Sequence, residues 1–349
     1  MLARLLVVLV AASCGRIGFG QELALDGWSE SAAFEVVNPT AEELYDVPIL
    51  VRLDPTNIDY ARAAIDGRDL RFTDRTGMLA HEIERWDPSD TSIIWVRVPV
   101  LAAAPARTPL SMHYGNSMVT GISPEATWSS DHVAVYHFAG DTRDSTSTGL
   151  DASGVDTTTS KTALLGDSLA LSPTGPPSYA VVPHQPILDE VLTYSGWIRS
   201  ATPTIGRWEA MITQGIPDIE LNPIHVGLFE DKVYFEVYDD SGSTVQRTHE
   251  AVPIGTWVHL AVAIGPTSVA TFVDGTPRET LLVPNGARRS PQAMFFGADC
   301  DTCSLGAVVA RSDFLDGNLD ELRLERVVRS EAWFQTQVAS MRDLLIEWQ

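Results

Sequence analysis

Short runs in which apolar and polar residues alternate fill most of the chain and predict β-strands. In 93–98, Ile94, Val96 and Val98 fall on one face while Trp95 and Arg97 fall on the other, as in a strand with one buried face. The runs are rich in β-branched and aromatic residues and are separated by Pro, Asp and Gly. In the first third of the chain they cover 34–37, 47–53, 70–73, 93–98 and 110–114.

The strand pattern pauses at 118–130, where Pro and Ser predict a linker. It resumes with single strands predicted at 133–138, 194–198, 255–262, 270–275 and 317–324, and with a hairpin predicted at 226–237. In the last segment, 329–349, Ser330 is a helix N-cap residue, and apolar residues from Phe334 to Leu345 recur at helical spacing. We therefore predict an all-β chain of two β-sandwich domains, 28–117 and 131–328, and a short C-terminal helix packed on the sandwich.

The start of the chain has the pattern of an exported protein. Arg4 precedes an apolar run, 5–12, which is shorter than the roughly 20 residues that span a bilayer. The segment Ala-Ala-Ser-Cys that ends at Cys14 resembles a bacterial lipobox. The resemblance implies removal of residues 1–13, acylation of Cys14 and a tether over 14–27, and the alternative is ordinary cleavage near Gly20.

The lipobox resemblance predicts an extracytoplasmic, lipid-anchored protein. Gly15 follows the cysteine and no Asp comes next, which in Gram-negative lipoproteins allows sorting to the outer membrane or cell surface. No later segment has the length and apolarity of a membrane span, so the lipid is the predicted membrane contact.

Motifs from about Trp28 to Asn116 resemble the DUF2341 family of uncharacterised bacterial extracellular domains. The motifs lie at 47–53, 66–74, 81–87, 94–99 and 114–116, in matching order and spacing. That family has no established activity, so the resemblance implies a domain and not a mechanism.

The second part, 131–328, resembles the laminin-G-like, concanavalin A-like lectin/glucanase superfamily. The resemblance rests on Gly-Thr-Trp-Val-His-Leu-Ala from Gly255, Phe-Val-Asp-Gly from Phe272, and the terminal strand 317–324. It implies a two-sheet jelly roll. The superfamily includes lectins, hydrolases and adhesion modules, so the fold alone does not assign a function.

The charge balance disfavours nucleic acid as a partner. The chain carries 24 basic and 46 acidic residues, and removal of Arg4 with the signal segment leaves 23 basic ones. A protein this acidic repels a phosphate backbone.

Two cysteines remain if Cys14 is acylated, and they are predicted to form a disulfide. Cys300 and Cys303 would lie in an oxidising compartment. A zinc site or a redox-active pair is the alternative. Zinc would need further soft ligands nearby, and the acidic neighbours Asp299 and Asp301 oppose formation of the reactive thiolate.

Asp320 is a candidate calcium ligand. By simple alternation it shares a face with Leu322 and Leu324 and points into the core, where a carboxylate must be hydrogen-bonded, paired or metal-bound. Asp141 and Asp144, in the loop after the first strand of the second domain, are the predicted companions, because calcium takes several oxygen ligands. Hydrogen bonding of Asp320 to backbone is the alternative.

No catalytic residue is predicted. Glycosidases place two carboxylates about 5 to 10 Å apart across the scissile bond, and the Glu-x-Asp-x-x-Glu arrangement common in hydrolases of this superfamily is absent. Glu230, Glu236, Asp239 and Asp240 lie around the predicted hairpin and are interpreted as solvated charges. His259, which shares a strand face with Trp257, is interpreted as structural.

One polar-aromatic cluster in the first domain is a conceivable glycan site. On alternation Trp86 shares a strand face with the carboxylates of Glu82 and Glu84, with His81 at the start of the same strand. The alternative interpretation is structural use of the strand.

These patterns favour a surface-anchored binding or adhesion module for glycans or cell-envelope polymers. A polysaccharide-degrading enzyme of the glycosidase or lyase type is the second hypothesis, and a purely structural envelope-assembly protein is the third.

Overall fold

The structure, a computed structural model, describes residues 27–349 except 204, 217, 218, 242, 243, 301–303, 307 and 311. The signal segment, Cys14 and Cys303 lie outside the described residues. Within them, no helix has the length and apolarity needed to cross a bilayer.

Strands dominate the described residues, as the alternation predicts. The strands before the second domain are β1 (Glu30–Val37), β2 (Leu44–Leu53), β3 (Arg71–Thr73), β4 (Met78–Leu79), β5 (His81–Arg85), β6 (Ser92–Leu101) and β7 (Arg107–Tyr114). The next are β8 (His132–Tyr136), β9 (Ser153–Val155), β10 (Thr158–Ser160), β11 (Ser168–Leu171), β12 (Tyr179–Val182), β13 (Thr193–Ser200), β14 (Trp208–Ile216), β15 (Ile219–Phe229) and β16 (Lys232–Tyr238). The last are β17 (Thr244–Ala251), β18 (Val258–Ile264), β19 (Ser268–Val273), β20 (Thr276–Leu282), β21 (Met294–Phe296), β22 (Gly317–Glu325), the helix α1 (Glu331–Met341) and β23 (Ile346–Trp348). Two short 3-10 helices cover Pro124–Thr127 and Pro186–Glu190.

The first sandwich pairs a five-stranded antiparallel sheet, ordered β23-β1-β7-β3-β4, with a three-stranded sheet, ordered β2-β6-β5. Ile94, Val96 and Val98 turn into the core between the sheets, as predicted, and meet Phe34 and Phe72 from the facing sheet. Trp95 points the other way and is also fully buried, because the second sandwich covers that face.

The second sandwich confirms the predicted jelly roll. One sheet has eight strands, ordered β10-β11-β22-β13-β18-β19-β20, with β8 also paired to β22. The other has seven strands, ordered β17-β16-β15-β14-β21-β12-β9. Leu260 and Val262 of the first sheet pack with Val226 and Phe235 of the second in one apolar core.

The C-terminal segment joins the two sandwiches. Ser330 caps α1 as predicted and accepts a hydrogen bond from the Trp333 amide, but the helix is shorter than predicted and ends at Met341. Residues 346–348 form β23, which pairs with β1 so that Trp348 lies opposite Phe34, with ring centroids 4.8 Å apart. A strand from the chain end therefore completes the sheet of the first sandwich.

Helix α1 also covers the open edge of the three-stranded sheet. The Leu50 amide of β2 donates to the Ser340 hydroxyl at 2.8 Å, and the Gln337 side chain donates to the Pro48 carbonyl at 3.2 Å. On the other side of the helix, the Phe334 ring packs on the Phe272 ring of the eight-stranded sheet, with ring centroids 4.5 Å apart. An edge strand that would otherwise expose unpaired backbone groups is thus capped by the helix.

His259 lies under the same helix. Its ring is buried, 5.2 Å from the Trp197 ring and 6.3 Å from the Phe334 ring. Burial, followed by the positive charges of Arg323 and Arg342, lowers the pKa of His259 to about 3. The imidazole is therefore neutral in the folded protein at neutral pH.

Trp348→Ala should destabilise the fold by about 2–3 kcal/mol, because it removes a large, partly buried ring from the β23–β1 contact. The measurement is urea unfolding at pH 7.5. Leu344→Ala is the control, since that side chain is 69% exposed just before β23. Equal, small losses in both variants would show that β23 does not hold the first sandwich.

The free energy of unfolding should fall as the pH falls below about 6.5, in part through His259. Because the pKa of His259 is lower in the folded than in the unfolded chain, the unfolded chain binds a proton below about pH 6.5 and the folded chain does not. The contribution of His259 to the free energy of unfolding is therefore fully present above pH 6.5 and is lost as the pH falls toward 3. Linkage gives about 2 kcal/mol from this one residue between pH 7.5 and pH 5. His259→Gln should lose less stability than the parent over that interval, as measured by denaturant titration at both pH values.

The control for that experiment is His184→Gln, a partly exposed histidine beside Asp189. It should keep the parental pH dependence. A His259→Gln variant that follows the parental curve would refute the assignment.

Candidate functional site

An acidic cavity of about 290 Å³ opens between the two sandwiches. Glu82 and Glu84 of β5 line it from the first sandwich, and the loop that carries Asp141 and Asp144 lines it from the second. His137, directly after β8, lies at its buried end. Two groups that were separate in the sequence, the β5 carboxylates and the Asp141–Asp144 loop, therefore meet at one cavity.

Two tryptophans hold the β5 carboxylates in place. The Trp95 indole N–H donates to Oε2 of Glu84 at 2.8 Å, and the Trp128 indole N–H donates to Oε2 of Glu82 at 2.5 Å. Trp128 comes from the predicted linker, 118–130, yet it is only 5% exposed. A tryptophan has a large apolar surface and one N–H donor, so its presence in the linker could have indicated a buried, hydrogen-bonded residue.

A β-bulge sets the direction of Glu84. The pairing of β5 with β6 shifts between Ile83 and Arg85, so one extra residue is inserted at Glu84. Beyond the shift, Trp86 falls on the opposite side and stacks edge-on against Tyr60, with ring centroids 5.1 Å apart.

His81 also turns away from the cavity, toward Phe72, at a ring-centroid distance of 5.2 Å. The conceivable glycan cluster of His81, Glu82, Glu84 and Trp86 is thus wrong as a single site. Only its two glutamates share the cavity.

His137 is surrounded by three carboxylates. Its Nδ1 lies 2.6 Å from Oε1 of Glu321 and 3.5 Å from Oε2 of Glu84, and its Nε2 lies 3.5 Å from Oε2 of Glu82. The ring stacks on Trp95 with an interplanar angle of 22°. Glu321 came from the terminal strand motif, but sequence reasoning did not single it out.

Arg323 is the nearby cation that partners Glu321. Its Nη2 donates to Oε2 of Glu321 at 3.0 Å, and its guanidinium lies 4.5 Å from the centre of the Trp95 ring. Gln337 of α1 accepts from its other terminal nitrogen. The C-terminal helix therefore reaches the charged cluster through Arg323.

The cluster shifts the pKa of each member. Burial, with smaller contributions from the charges of Glu321 and Glu82, raises the pKa of Glu84 to about 8. Burial lowers the pKa of His137, but the three carboxylates outweigh burial and hold it well above the ordinary value. Burial raises the pKa of Glu321, yet His137 and Arg323 keep it below normal. At neutral pH the core of the cluster is a His137–Glu321 ion pair beside a largely protonated Glu84.

Asp320 does not point into the core of the sandwich, and the prediction from alternation is wrong. In β22, Glu321 adopts a φ of +51° and the pairing with β13 is shifted, so Leu319 joins Leu322 and Leu324 in the core. Asp320 instead pairs across the strands with Trp197, on the side that faces the first sandwich.

Asp320 is held by backbone, which was the alternative to calcium. Its Oδ2 accepts hydrogen bonds from the amides of Leu164 and Leu165 at 3.0 Å each. Burial, followed by the charge of Glu321, raises its pKa well above normal.

The two companions predicted for Asp320 have protein partners of their own. Asp144 accepts hydrogen bonds from the amides of Val135, Thr146 and Leu150, and Asp141 pairs with Arg143 at 2.6 Å. Among the described residues, the groups of His and acidic side chains whose ligand atoms lie within 4.8 Å of one another do not include Asp320, Asp141 and Asp144 together. The structure therefore does not assemble the predicted calcium trio as one ligand set.

A second candidate site lies on the outer face of the seven-stranded sheet. Trp208 of β14 is 39% exposed and stacks on Phe229 of β15 at 4.3 Å with an interplanar angle of 22°. Tyr234 of β16 contacts both rings edge-on, and its hydroxyl donates to Oε2 of Glu236 at 2.7 Å. We call Trp208, Phe229, Tyr234 and Glu236 the aromatic platform.

The hairpin that carries part of this platform was predicted from the sequence. β15 and β16 are joined at Glu230 and Asp231, both with positive φ. Glu230 and Asp240 are exposed, as expected for solvated charges, but Glu236 and Asp239 are buried. The prediction was wrong for Glu236 because it ignored its neighbour Tyr234, which covers and hydrogen-bonds the carboxylate.

Cys300 is disulfide-bonded. Cys303 lies outside the described residues, so their pairing stays a prediction. Next to Cys300, Oδ2 of Asp299 accepts from the Asn222 side chain at 2.9 Å, and Asp299 also lies close to His225 and Asp313 in a second group of clustered ligand atoms.

Two family models match the chain. Residues 66–150 match DUF2341, a domain of unknown function, and residues 174–334 match the model described as the concanavalin A-like lectin/glucanases superfamily. No curated protein matches.

Several solved structures are similar to part of the chain. Domain 4 of AbnA, a GH43 extracellular arabinanase from Geobacillus stearothermophilus in complex with arabinotriose, is 15% identical over 60% of this chain and 98% of its own, with a TM-score of 0.44. The binding domain of botulinum neurotoxin DC in complex with SialylT is 9% identical over 61% and 52%, with a TM-score of 0.46. The botulinum neurotoxin type G receptor binding domain is 10% identical over 60% and 51%, with a TM-score of 0.45.

The match spans about half the length of the toxin chains. The family assignment therefore rests on the two family models and on the observed sandwiches. The chain carries a DUF2341 region followed by a concanavalin A-like lectin/glucanase domain, in the order that the sequence predicts.

Proposed function

We propose that this chain is an extracytoplasmic, lipid-anchored binding protein that holds a glycan or cell-envelope polymer on the aromatic platform of its second sandwich. The observation that carries the proposal is the exposed Trp208 ring, stacked flat on Phe229. Tryptophan is large and apolar, and a protein gains nothing in solubility by leaving such a ring half-exposed.

The ring geometry suits a sugar. The stack with Phe229 fixes the Trp208 plane, so little side-chain entropy is lost when a flat ligand face packs on it. The apolar face of a pyranose or furanose ring is such a surface. An aromatic ring with an apolar body and nearby polar groups is typical of binding sites.

Polar groups beneath the platform fix its rings. Glu236 accepts from Tyr234, and the His225 ring lies 5.2 Å from the Tyr234 ring on the same face. All three side chains are buried, so they support the platform and do not themselves present a surface to a ligand. The exposed face of Trp208 is the surface on which a sugar ring would stack.

Binding is favoured over hydrolysis. The Glu-x-Asp-x-x-Glu arrangement is absent from the sequence, and the platform carboxylate, Glu236, is bonded to Tyr234 and buried. A general acid or nucleophile must instead reach the scissile bond.

The first sandwich does not cover the platform. The eight-stranded sheet faces the first sandwich through Trp197 and Phe272, whereas the platform lies on the opposite sheet. The proposed binding face is therefore turned away from the first sandwich.

Trp208→Ala should weaken binding of any glycan that the parent protein binds by at least about tenfold, because it removes the stacking surface. Ligands are first identified on a glycan and envelope-polymer array, with calcium and again with chelator. Affinities are then measured by calorimetry.

The control is Tyr45→Ala, since Tyr45 is another exposed aromatic side chain beside a carboxylate, at 60% exposure on the first sandwich. It should leave the affinity unchanged. No glycan ligand for the parent, or equal losses in both variants, would count against the proposal, and release of reducing ends from a polysaccharide would favour the enzyme hypothesis instead.

Cys14→Ser should abolish membrane attachment if Cys14 is the acylated residue. The parent protein, produced in a Gram-negative host with an alkyne-labelled fatty acid, should carry the label and sediment with membranes. The variant should lose both. Retention of the label, or an unlabelled parent whose N-terminus begins near Gly20, would support ordinary signal cleavage.

A further inference from the structure

We propose that Glu84, His137 and Glu321 form a binding site for one divalent transition-metal ion, of which Zn²⁺ is the best representative, between the two sandwiches. The site is separate from the aromatic platform and does not rest on the glycan proposal. It joins β5 of the first sandwich to the end of β8 and to β22 of the second.

The ligand atoms already lie close together. One atom from each of the three side chains lies within 4.8 Å of the other two. His137 Nδ1 is 2.6 Å from Glu321 and 3.5 Å from Glu84. Replacing the proton between His137 and Glu321 by an ion of about 2 Å bond length requires only small side-chain movements.

Two atoms of this cluster have no hydrogen-bond partner among the described residues, although both are buried. They are Oε1 of Glu84 and Nε2 of His137. The Glu84 and His137 side chains are only 1% and 5% exposed. Buried polar atoms are nearly always satisfied. His137 Nε2 faces Oε2 of Glu82 at 3.5 Å, whereas Nδ1 is the atom that faces Glu84 and Glu321. The unsatisfied atom that indicates a missing partner at this site is therefore Oε1 of Glu84.

The charges also require a partner. Four buried carboxylates converge here, from Glu82, Glu84, Asp320 and Glu321. Arg323 forms an ion pair with Glu321, and His137 must be neutral to bind a metal. The four carboxylates therefore outnumber the fixed positive charge of Arg323, and protons or a divalent ion can neutralise them. An isolated buried charge is very costly.

The donor set selects the class of metal. An imidazole nitrogen with carboxylates suits Zn²⁺ and its neighbours in the transition series. Ca²⁺ and Mg²⁺ prefer oxygen ligands alone. The site therefore differs from the calcium site predicted for Asp320, Asp141 and Asp144 in both residues and metal.

The surroundings provide the outer contacts that metal ligands normally have. Trp95 donates to Glu84, and Arg323 donates to Glu321. Such contacts fix the orientation of the ligands. The acidic cavity lined by Glu82, Glu84 and His137 offers a path for a cation to enter from solvent.

The test uses the full chain, stripped with chelator and dialysed against Zn²⁺. Bound metal is measured by inductively coupled plasma mass spectrometry and the affinity by calorimetry. We expect one Zn²⁺ per chain and a higher Tm with Zn²⁺ than without it. Ca²⁺ should give no increase in Tm that depends on Glu84.

Glu84→Gln should weaken Zn²⁺ binding by about 100-fold or more, and His137→Gln should do the same. Glu84→Gln keeps the shape of the side chain and, like the protonated acid, is uncharged, so it should fold even if His137→Gln does not. The matched control is Glu125→Gln, which lies on the rim of the same cavity and should bind Zn²⁺ like the parent.

Three results would overturn the proposal. They are a parent protein without stoichiometric Zn²⁺, a Glu84→Gln variant that binds as the parent does, and an equal loss in Glu125→Gln, which would indicate attraction of cations by the rim alone. A larger Glu84-dependent effect of Ca²⁺ than of Zn²⁺ would refute the choice of metal. None of these results bears on glycan binding by the Trp208 platform.

Discussion

The C-terminal segment is the contact on which the two-sandwich arrangement depends. A three-stranded sheet has two edges, and the backbone groups of an edge strand must be paired, hydrated or covered. In the first sandwich α1 covers β2 through the Ser340 and Gln337 hydrogen bonds, and β23 continues the facing sheet beyond β1. The first sandwich is therefore completed only when Ile346–Trp348 have been made, some three hundred residues after its first strand. The two sandwiches should for that reason fold and unfold as one cooperative unit.

Helix α1 also packs against the charged cluster. It places Gln337 on Arg323 and Met341 against Trp197, and Arg323 in turn covers Trp95 and holds Glu321. Between buried groups each ionic contact is stronger than at the surface, and each unpaired charge is more costly. This explains why the carboxylates here are shifted in opposite directions. Glu321, with two cationic neighbours, stays charged, while Glu84 binds a proton more tightly than an ordinary glutamate.

Alternation predicted the strands well where pairing is regular. It placed Ile94, Val96 and Val98 in the core, located the hairpin around Glu230, and identified Ser330 as the helix cap. Family resemblance supplied the order of the two domains, which a count of strands would not have given. Alternation and family motifs both depend on short stretches of sequence, and such stretches determine where regular strands, hairpins and helix caps form.

Prediction failed at the bulges and at contacts between distant segments. The bulges at Glu84 and Glu321 each insert one extra residue, and this reverses the face that the following side chains occupy. Neither bulge could be predicted from the type of residue at its position. Alternation therefore placed Trp86 beside the β5 glutamates and Asp320 in the sandwich core, and both assignments were wrong. The pairing of β23 with β1 and the insertion of Trp128 from the linker depend on tertiary contacts across the whole chain.

The two bulges have a shared consequence for the junction. The bulges lie at Glu84 and Glu321, and both glutamates lie close to His137 Nδ1 in the junction. Replacing a buried ionic cluster by apolar residues is often neutral or stabilising. Stability alone therefore gives no reason for concentrating four carboxylates and a histidine in the junction between the sandwiches, whereas a ligand that carries two positive charges does.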